Sequence, residues 1–325
     1  MALANKRARI CVVILILLVF LLSCISLSLG SVPVDWSDLG WRTLPYQNIG
    51  AQVFWEIRFP RWVASMLSGV SLAVSGLALQ TIFRNPLAGP FVLGISSGAS
   101  LGVALAMLAG ISFGNLGVLG SAMLGASLVT LVVLWVSSRF AHSTVLLIFG
   151  LLIGYFVDSL VSILIANSDA ESLRAYVSWG MGSFGRLTYS GVRLFFVSVV
   201  VGIALITCST KYLNAARMGD EFERGLGINV RRGRSCVLLG ASLLAAATTA
   251  YCGPVAFVGI AVPHLAFALF RTTNHRVLLL GSSLCGMIIC LVSSMFLTMP
   301  LNAMLSLVGV PVVLWVVVSG RRSLA

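Results

Sequence analysis

The stretch that decides the fold is residues 58–99, RFPRWVASMLSGVSLAVSGLALQTIFRNPLAGPFVLGISSGA. Its first half is an apolar run rich in glycine, alanine and serine, which is typical of a helix that packs closely against other helices in a bilayer. Pro86 and Pro90 then interrupt the run, because proline lacks the amide hydrogen that a helix interior requires. The stretch therefore predicts a membrane-spanning helix that turns at one face of the bilayer and re-enters as the next span.

The composition extends this interpretation to the whole chain. Of the 325 residues, 59% are hydrophobic and 9% are charged, and the mean hydropathy is +1.05. A soluble core could not absorb so much apolar surface, whereas lipid can, and helices suit a bilayer because their backbone groups are paired internally. We predict an all-α, polytopic membrane protein with one domain, residues 1–325, and about ten spans. The predicted spans are 10–29, 57–80, 91–110, 114–138, 143–165, 189–211, 234–250, 255–270, 277–297 and 304–319.

The basic residues predict the topology. The net charge of +12 lies in short gaps between apolar runs, which is typical of topology signals rather than of a nucleic-acid surface. If the N-terminus is cytoplasmic, 15 of the 21 basic residues fall in cytoplasmic gaps. The asymmetry predicts a multi-pass protein with both termini in the cytoplasm.

Cysteine usage points to neither disulfides nor a metal site. The seven cysteines are scattered through apolar segments, with no C-x-x-C spacing and no accompanying histidine cluster. They are expected to be small buried residues, and we predict no metal and no cofactor. The first apolar run, residues 10–29, could pass for a signal peptide, but the many spans that follow favour its retention as a signal anchor.

The chain carries no nucleotide-binding loop of its own. Its two lysines, Lys6 and Lys211, both lack the glycine-lysine-serine or glycine-lysine-threonine context that a phosphate-binding loop requires. Ion-coupled transport needs ionisable groups inside the membrane, and the spans offer Asp158 and, near a helix start, His264. Asp158 could line a pathway, but a hydrogen bond between helices is the preferred interpretation. His264 is expected to cap or pack rather than bind a metal, since no second ligand lies at a useful spacing.

Several motifs carry a family resemblance. Arg58-Phe59-Pro60-Arg61 corresponds to R-x-P-R, and residues 84–99 match R-N-P-L-A-x-P-x-x-L-G-x-S-x-G-A. Residues 253–267, GPVAFVGIAVPHLAF, are close to G-P-I-A-F-V-G-L-V-V-P-H, and residues 179–183, WGMGS, match as well. Together these motifs resemble the FecCD family of ABC importer permeases, which includes cobalamin, haem and ferric-siderophore transporters.

The resemblance implies a mechanism and a set of partners. It implies a non-catalytic permease of the bacterial inner membrane, which pairs with a second permease, identical or related, around a shared pathway. Two cytoplasmic ABC ATPase subunits would drive it, and a periplasmic substrate-binding protein would deliver the solute. The pathway would open alternately to each side, in a cycle biased by nucleotide state.

The resemblance also implies candidate site residues. Arg58 and Arg61 would dock the binding protein, although snorkelling to lipid headgroups is the alternative. The coupling segment, residues 212–233, would dock into the ATPase, with a solvated loop as the alternative. Its candidate contacts are Gly219, Glu221, Phe222, Arg224, Leu226, Gly227 and Ile228. Candidate pathway or gate residues are Gln80, Asn85, Pro86, Gly98, Gly253, Pro254 and Pro263, although the hairpin around Pro86 could equally be structural.

The C-terminal match is weaker and leaves the substrate open. The family's E-L-P-x-G-x-x-T-A-x-x-G-x-P appears at residues 298–311 with Thr298 in place of the acid and Asn302 in place of the first glycine. Ferric siderophore, haem and cobalamin all remain possible substrates. The principal alternative function is a self-contained, ion-coupled carrier, which would explain the spans but not the coupling segment. A membrane enzyme is not supported, because the sequence offers no paired acids, metal cluster or Ser/His/Asp arrangement.

Overall fold

The computed structural model describes residues 6–30, 49–111, 117–140, 143–217, 229–296 and 299–321. Every regular element in these ranges is helical, which confirms the all-α prediction. A π-helical turn, Phe54–Arg58, precedes α3, and 3-10 turns lie at Pro90–Leu93 and Phe184–Arg186. The α-helices are α1 (Lys6–Ser28), α2 (Ile49–Val53), α3 (Phe59–Phe83), α4 (Ile95–Met107), α5 (Gly117–Arg139), α6 (Ser143–Ala166), α7 (Ala170–Gly180), α8 (Tyr189–Cys208), α9 (Thr210–Ala216), α10 (Val230–Cys252), α11 (Val258–Phe270), α12 (His275–Ser294) and α13 (Leu301–Arg321).

The helices confirm the predicted number of spans. Seven of the described helices are long and apolar enough to cross a membrane, and α4, α11 and the first half of α13 are shorter apolar helices. These ten helices correspond one to one with the ten predicted apolar runs. The short helix α7, by contrast, was predicted only as part of a segment between spans.

α3 is the helix around which the bundle is built. It packs against α1, α8, α10, α11 and α12, and its serines at positions 65, 68, 71 and 75 are fully buried. Small side chains let neighbouring backbones approach, which supplies the close packing that holds helices together in lipid. The Ser65 and Ser75 hydroxyls donate to carbonyl oxygens of their own helix, at 2.8 and 3.1 Å, so these hydroxyls are paired despite their burial.

Gly98 lies where α4 and α5 touch. A Cβ atom at this position would lie 2.6 Å from the carbonyl oxygen of Gly125 on α5 and would meet the side chain of Val129. Only glycine permits this separation, because a real Cβ atom essentially never approaches a backbone oxygen so closely. The geometry gives Gly98 a packing role, and its predicted part in a gate stays a prediction.

The chain breaks between α10 and α11, where only four residues separate the predicted spans 234–250 and 255–270. Gly253 has φ +80° and ψ 177°, a conformation that favours glycine, and Phe257 has φ +66°. α10 therefore ends at Cys252, and α11 starts again at Val258. Pro263 lies inside α11, which continues through it to Phe270, so the break is at residues 253–257 and not at this proline.

The helix directions define two faces of the bundle. α3 ends beside α9, where Arg84 Nε donates to the carbonyl oxygen of Ala216 at 3.0 Å, and we call this end the Arg84 face. The opposite end, which holds α7 and the starts of α3 and α13, is called the α7 face. α1 begins at the Arg84 face, because Arg7 Nε donates to Leu269 O near the end of α11 at 3.2 Å. α13 starts at the α7 face, where Asn302 bonds to Gly180 O, so it runs towards the Arg84 face.

Aromatic side chains mark the membrane boundary at the α7 face. The ring centroids of Phe59 and Tyr189 are 5.9 Å apart, and Trp55 and Trp62 lie beside them, with centroids 5.4 and 5.9 Å from that of Phe59. Tryptophan and tyrosine favour the interface between hydrocarbon and water, because one end of each ring is apolar and the other can hydrogen-bond. The starts of α3 and α8 therefore lie at the bilayer surface.

Candidate functional site

At the α7 face, Asn302 joins three segments that are distant in sequence. Its Nδ2 donates to Gly180 O at 3.1 Å and to Pro254 O at 2.7 Å, and its Oδ1 accepts from Ala256 N at 3.1 Å. Its backbone amide donates to Met181 O at 3.2 Å. The side chain uses both amide hydrogens and its oxygen, so it is fully satisfied. We call this arrangement the Asn302 clasp, and it ties the start of α13 to the end of α7 and to the chain break.

Arg186 strengthens the same junction. Its guanidinium donates to Trp179 O at 2.8 Å and to Ser178 O at 2.5 Å, which places a cation at the negative, C-terminal end of α7. The backbone amide of Ser183 donates to Cys252 O at 2.8 Å, so the segment after α7 also bonds to the end of α10. Partial burial lowers the pKa of Arg186, but the ordinary pKa of arginine is high enough to keep the side chain charged at neutral pH.

The predicted pathway residues Gly253 and Pro254 lie inside this junction. A Cβ atom on Gly253 would lie 2.7 Å from Trp179 O, so the chain break packs directly against the end of α7. The start of α7 is held by Asp169, whose carboxylate accepts from Ser172 N at 2.9 Å and from Glu171 N at 3.0 Å. These hydrogen bonds, that from Ser172 first, lower the pKa of Asp169. Both ends of α7 are therefore capped, and its C-terminal end is bonded to the rest of the bundle.

The two arginines predicted to dock a partner have different surroundings. Arg58 is 7% exposed, and its Nη1 donates to Leu27 O at 3.1 Å and to Ser28 O at 3.0 Å. It therefore caps the C-terminal end of α1. Arg61, one turn further along, lines an open cavity of 220 Å³ at the α7 face, next to Ser183 and Leu301. Of the two side chains, that of Arg61 borders open space.

At the Arg84 face, several predicted gate residues come together. A cavity of 290 Å³ lies between the end of α3, the turn that follows it, and α11. Gln80 Nε2 donates to Ile260 O at 3.1 Å, and Asn85 Oδ1 accepts from Leu87 N at 2.9 Å, which shapes the turn before Pro90. The residues that line the cavity are Gln80, Thr81, Arg84, Asn85, Pro86, Arg217, His264 and Phe267.

His264 fastens this turn to α11. Its Nε2 lies 2.8 Å from Pro86 O, and because a carbonyl oxygen can only accept, the imidazole donates the hydrogen bond. Among the described residues, no group of three or more histidine, cysteine or acidic side chains could hold a metal ion. The structure thus gives His264 the capping role that was predicted from the sequence.

Asp158 differs from the preferred interpretation. It lies exposed on α6 in a polar strip with Tyr155, Ser159 and Ser162, and its carboxylate has no hydrogen-bond partner within the described part of the chain. Both serine hydroxyls donate to carbonyl oxygens of α6 itself. Burial raises the pKa of Tyr176 on α7, and the charge of Asp158 adds to the shift. The predicted hydrogen bond between helices is not formed among the described residues, and the alternative, a pathway lining, stays a prediction.

The predicted ATPase contacts lie outside the described residues, as residues 218–228 include all seven of them. Three described residues that bond to distant segments were missed from the sequence: Asn302, Arg186, and His275, which contacts Thr81 and Asn214. Asn302 had been noted only as a departure from a family pattern, and that departure was the available signal. Arg186 and His275 carried no signal, because their partners are carbonyl and side-chain oxygens that no local motif reveals.

The fold and the site define a polytopic, all-helical membrane permease with a broken helix at one face and a lined cavity at the other. The chain belongs to the FecCD transport family, whose model matches residues 16–319.

Individual relatives agree with this assignment. The chain is 33% identical over 318 residues to the hemin transport system permease protein HmuU of Yersinia pestis, which covers 93% of this chain and 95% of that protein. It is 30% identical over 326 residues to the vitamin B12 import system permease protein BtuC of Escherichia coli O127:H6, which covers 98% of this chain and 97% of that one. A solved inward-facing metal-chelate type ABC transporter is 28% identical, has a TM-score of 0.84, and covers 95% of this chain and 98% of its own.

Proposed function

We propose that this protein is the membrane-spanning subunit of an ABC importer that moves an iron chelate, haem or a cobalamin-like molecule into the cytoplasm. The observation that carries the proposal is the exposed polar strip of α6, which includes Tyr155, Asp158, Ser159 and Ser162. A charged side chain on a membrane helix is costly against lipid and usually faces a cavity or a protein partner. A second permease subunit, packed so that two such strips face each other, would enclose a wide polar pathway. The relatives' names, hemin transport and vitamin B12 import, support a large chelate as the solute.

The two faces suggest how the solute would pass. The α7 face, with α7 and the chain break, would receive it, and the cavity beside Asn85 and Pro86 at the Arg84 face would release it. We assign the α7 face to the periplasm, because the Arg84 face carries most of the basic residues in the described ranges. Opening the two faces in turn requires movement between packed helices but no bond to be broken in the solute.

The same orientation suggests where each partner would bind. A periplasmic binding protein would dock over the α7 face, where Arg61 borders an open cavity and can form a charge-assisted pair with an acidic residue. ABC ATPase subunits would bind the coupling segment at the Arg84 face and hydrolyse ATP on this chain's behalf. An ion-coupled carrier would instead depend on Asp158, and uptake without ATP would distinguish it.

The proposal is tested by purifying the chain from its host membranes and reconstituting the assembled complex in liposomes with its binding protein. Uptake of hemin, a ferric siderophore and cyanocobalamin is measured with ATP inside or outside the vesicles. We expect uptake of one of these solutes only when ATP reaches the ATPase, and none when a proton or sodium gradient replaces ATP. Gradient-driven uptake by the chain without an ATPase would contradict the proposal.

A further inference from the structure

His275 is a buried polar residue that lies between three helices. Its side chain is fully buried at the start of α12. One ring nitrogen, Nε2, lies 2.8 Å from Thr81 Oγ1 of α3, and the other, Nδ1, lies 2.8 Å from Asn214 Oδ1 of α9. The backbone amide of His275 also donates to Asn214 Oδ1, at 3.0 Å. Every polar atom of the imidazole is therefore bonded, and each bond goes to a different helix from its own.

Such a network fixes α9 relative to α3. Leaving a polar atom unpaired in a low-dielectric interior is costly, so a satisfied buried network resists relative displacement of the elements it joins. Asn214 Oδ1 can only accept, so Nδ1 of the neutral imidazole donates to it, and Nε2 accepts the single hydrogen of the Thr81 hydroxyl. The Thr81 oxygen also lies 2.8 Å from Leu77 O of its own helix. Movement of α9 would therefore carry the end of α3 with it.

α9 leads directly into the coupling segment. Beside the His275 network, Arg84 Nε donates to Ala216 O, the carbonyl at the end of α9, and the Arg217 guanidinium lies 5.2 Å from the centre of the Phe267 ring on α11. Arg84 itself has φ +46°, a left-handed conformation that costs a non-glycine residue energy and persists where surrounding contacts hold it. The base of the segment is thus attached to both α3 and α11.

The two ends of the coupling segment also pack on each other. A Cβ atom on Gly233, at the start of α10, would lie 2.8 Å from the Cβ of Tyr212 on α9. Close packing of this kind transmits displacement, because a well-packed contact has no free space to absorb it. A push on the segment would therefore move its base as one body.

The other end of the network is the turn at Asn85 and Pro86. Thr81 lies four residues before Asn85 on the helix that ends there, and His264 of α11 bonds to Pro86 O. The turn is therefore attached both to α3 and to α11, the two helices that the base of the coupling segment also contacts. A displacement at α9 has a continuous, bonded route to this turn.

We propose that Thr81, Asn214 and His275 form the linkage through which movement of the coupling segment reaches the turn at Asn85 and Pro86. The linkage rests on the proposed function, since it assumes that an ATPase moves the segment. His275 and its two partners are positioning residues, which act on the turn through the helices; of the three, Thr81 also lines the cavity beside that turn.

The test measures whether a change of nucleotide alters the turn. In the assembled complex, with the seven native cysteines replaced, Leu87→Cys supplies a thiol at a position that is 53% exposed. The labelling rate of this thiol is compared between the ADP state and the ATP-vanadate state. In otherwise unchanged protein we expect the two rates to differ. Equal rates in the two states, with ATPase activity present, would overturn the linkage.

Thr81→Val removes the hydroxyl at nearly constant volume. We expect it to reduce the nucleotide-dependent change in labelling by about 2- to 30-fold, the range typical of residues that couple two sites. ATP hydrolysis should continue. The matched control is Thr248→Val, because Thr248 is also buried but its hydroxyl bonds only to Leu244 O of its own helix, at 2.9 Å. A Thr81→Val complex that responds like the Thr248→Val complex would overturn the linkage.

A second pair of variants keeps the linkage testable if Thr81→Val fails to assemble. Asn214→Leu removes the oxygen that both His275 atoms use, whereas Asn214→Asp retains an acceptor at the same place. We expect the aspartate variant to keep most of the labelling response and the leucine variant to lose it. An equal labelling response from both variants would refute the linkage but not the proposed function. If no ATPase accompanies the unmodified chain, the proposed function itself is refuted.

Discussion

At the residue scale, Arg58 shows that a cation at a membrane boundary can stabilise the fold. Arginine is disfavoured on the periplasmic side, so the predicted position of Arg58 there suggested a partner or lipid headgroups. The structure directs the guanidinium to Leu27 O and Ser28 O, where α1 ends and its last carbonyl groups have no partner within the helix. The docking role of Arg58 stays a prediction, while its role as a cap is visible.

Replacing Arg58 should therefore destabilise the protein more than replacing Arg61. Hydrogen bonds to a charged group each contribute about 1.5–3 kcal/mol, so Arg58→Ala is expected to lower the free energy of unfolding by about that amount or more. The control, Arg61→Ala, removes a side chain that borders an open cavity and should have a smaller effect on stability. Thermal unfolding of both variants in detergent gives the comparison. If both variants unfold at the same temperature as the unmodified chain, the cap contributes little to stability.

At the scale of elements, the Asn302 clasp makes one unit of α7, the chain break and the start of α13. The family pattern has glycine at this position, which could make none of the three side-chain bonds that Asn302 makes. The departure from the family pattern therefore has a physical consequence, which is a side-chain tie between α7, the chain break and α13.

Asn302→Ala should loosen this face locally. With three hydrogen bonds lost and two carbonyl oxygens left without the amide, the free energy of local opening is expected to fall by about 1–3 kcal/mol. Amide hydrogen exchange at residues 254–258 and 179–183 should then accelerate by about 5- to 150-fold. Asn167→Ala is the control, because the Asn167 amide bonds only to Ile163 O of its own helix. Exchange rates that match the control would show that other contacts, such as those of Arg186, hold the face closed.

At the scale of the whole molecule, the two faces should lie on opposite sides of the membrane. Lys211 and Glu171 are both exposed, the first at the Arg84 face and the second on α7. In a cysteine-free background, Lys211→Cys is expected to react with an impermeant thiol reagent only from the cytoplasm, and Glu171→Cys only from the periplasm. Labelling whole cells and inverted vesicles separates the two cases. Reaction of both sites from one side would refute the topology and the proposed direction of transport.

Much of the fold was predictable from local features. The ten apolar runs, the turn at Pro86 and the break at Gly253-Pro254 follow from hydropathy and from the conformations of proline and glycine. These properties act within a few residues, because a helix in lipid must satisfy its own backbone wherever it lies. The family motifs suggested Gln80, Asn85 and Pro86 as gate residues; all three line one cavity, and their part in a gate stays a prediction.

The sequence by itself determined where the chain crosses the membrane, where it turns and to which family it belongs. Only the tertiary structure decided which polar groups meet: Asn302 bonds to Gly180, 122 positions away, and His275 to Thr81, 194 positions away. Hydropathy and backbone preference are properties of a short segment, whereas a hydrogen bond requires two groups within about 3 Å in a defined direction. That requirement is met only after the helices have packed, so the Asn302 clasp and the His275 network could not be derived from residue order.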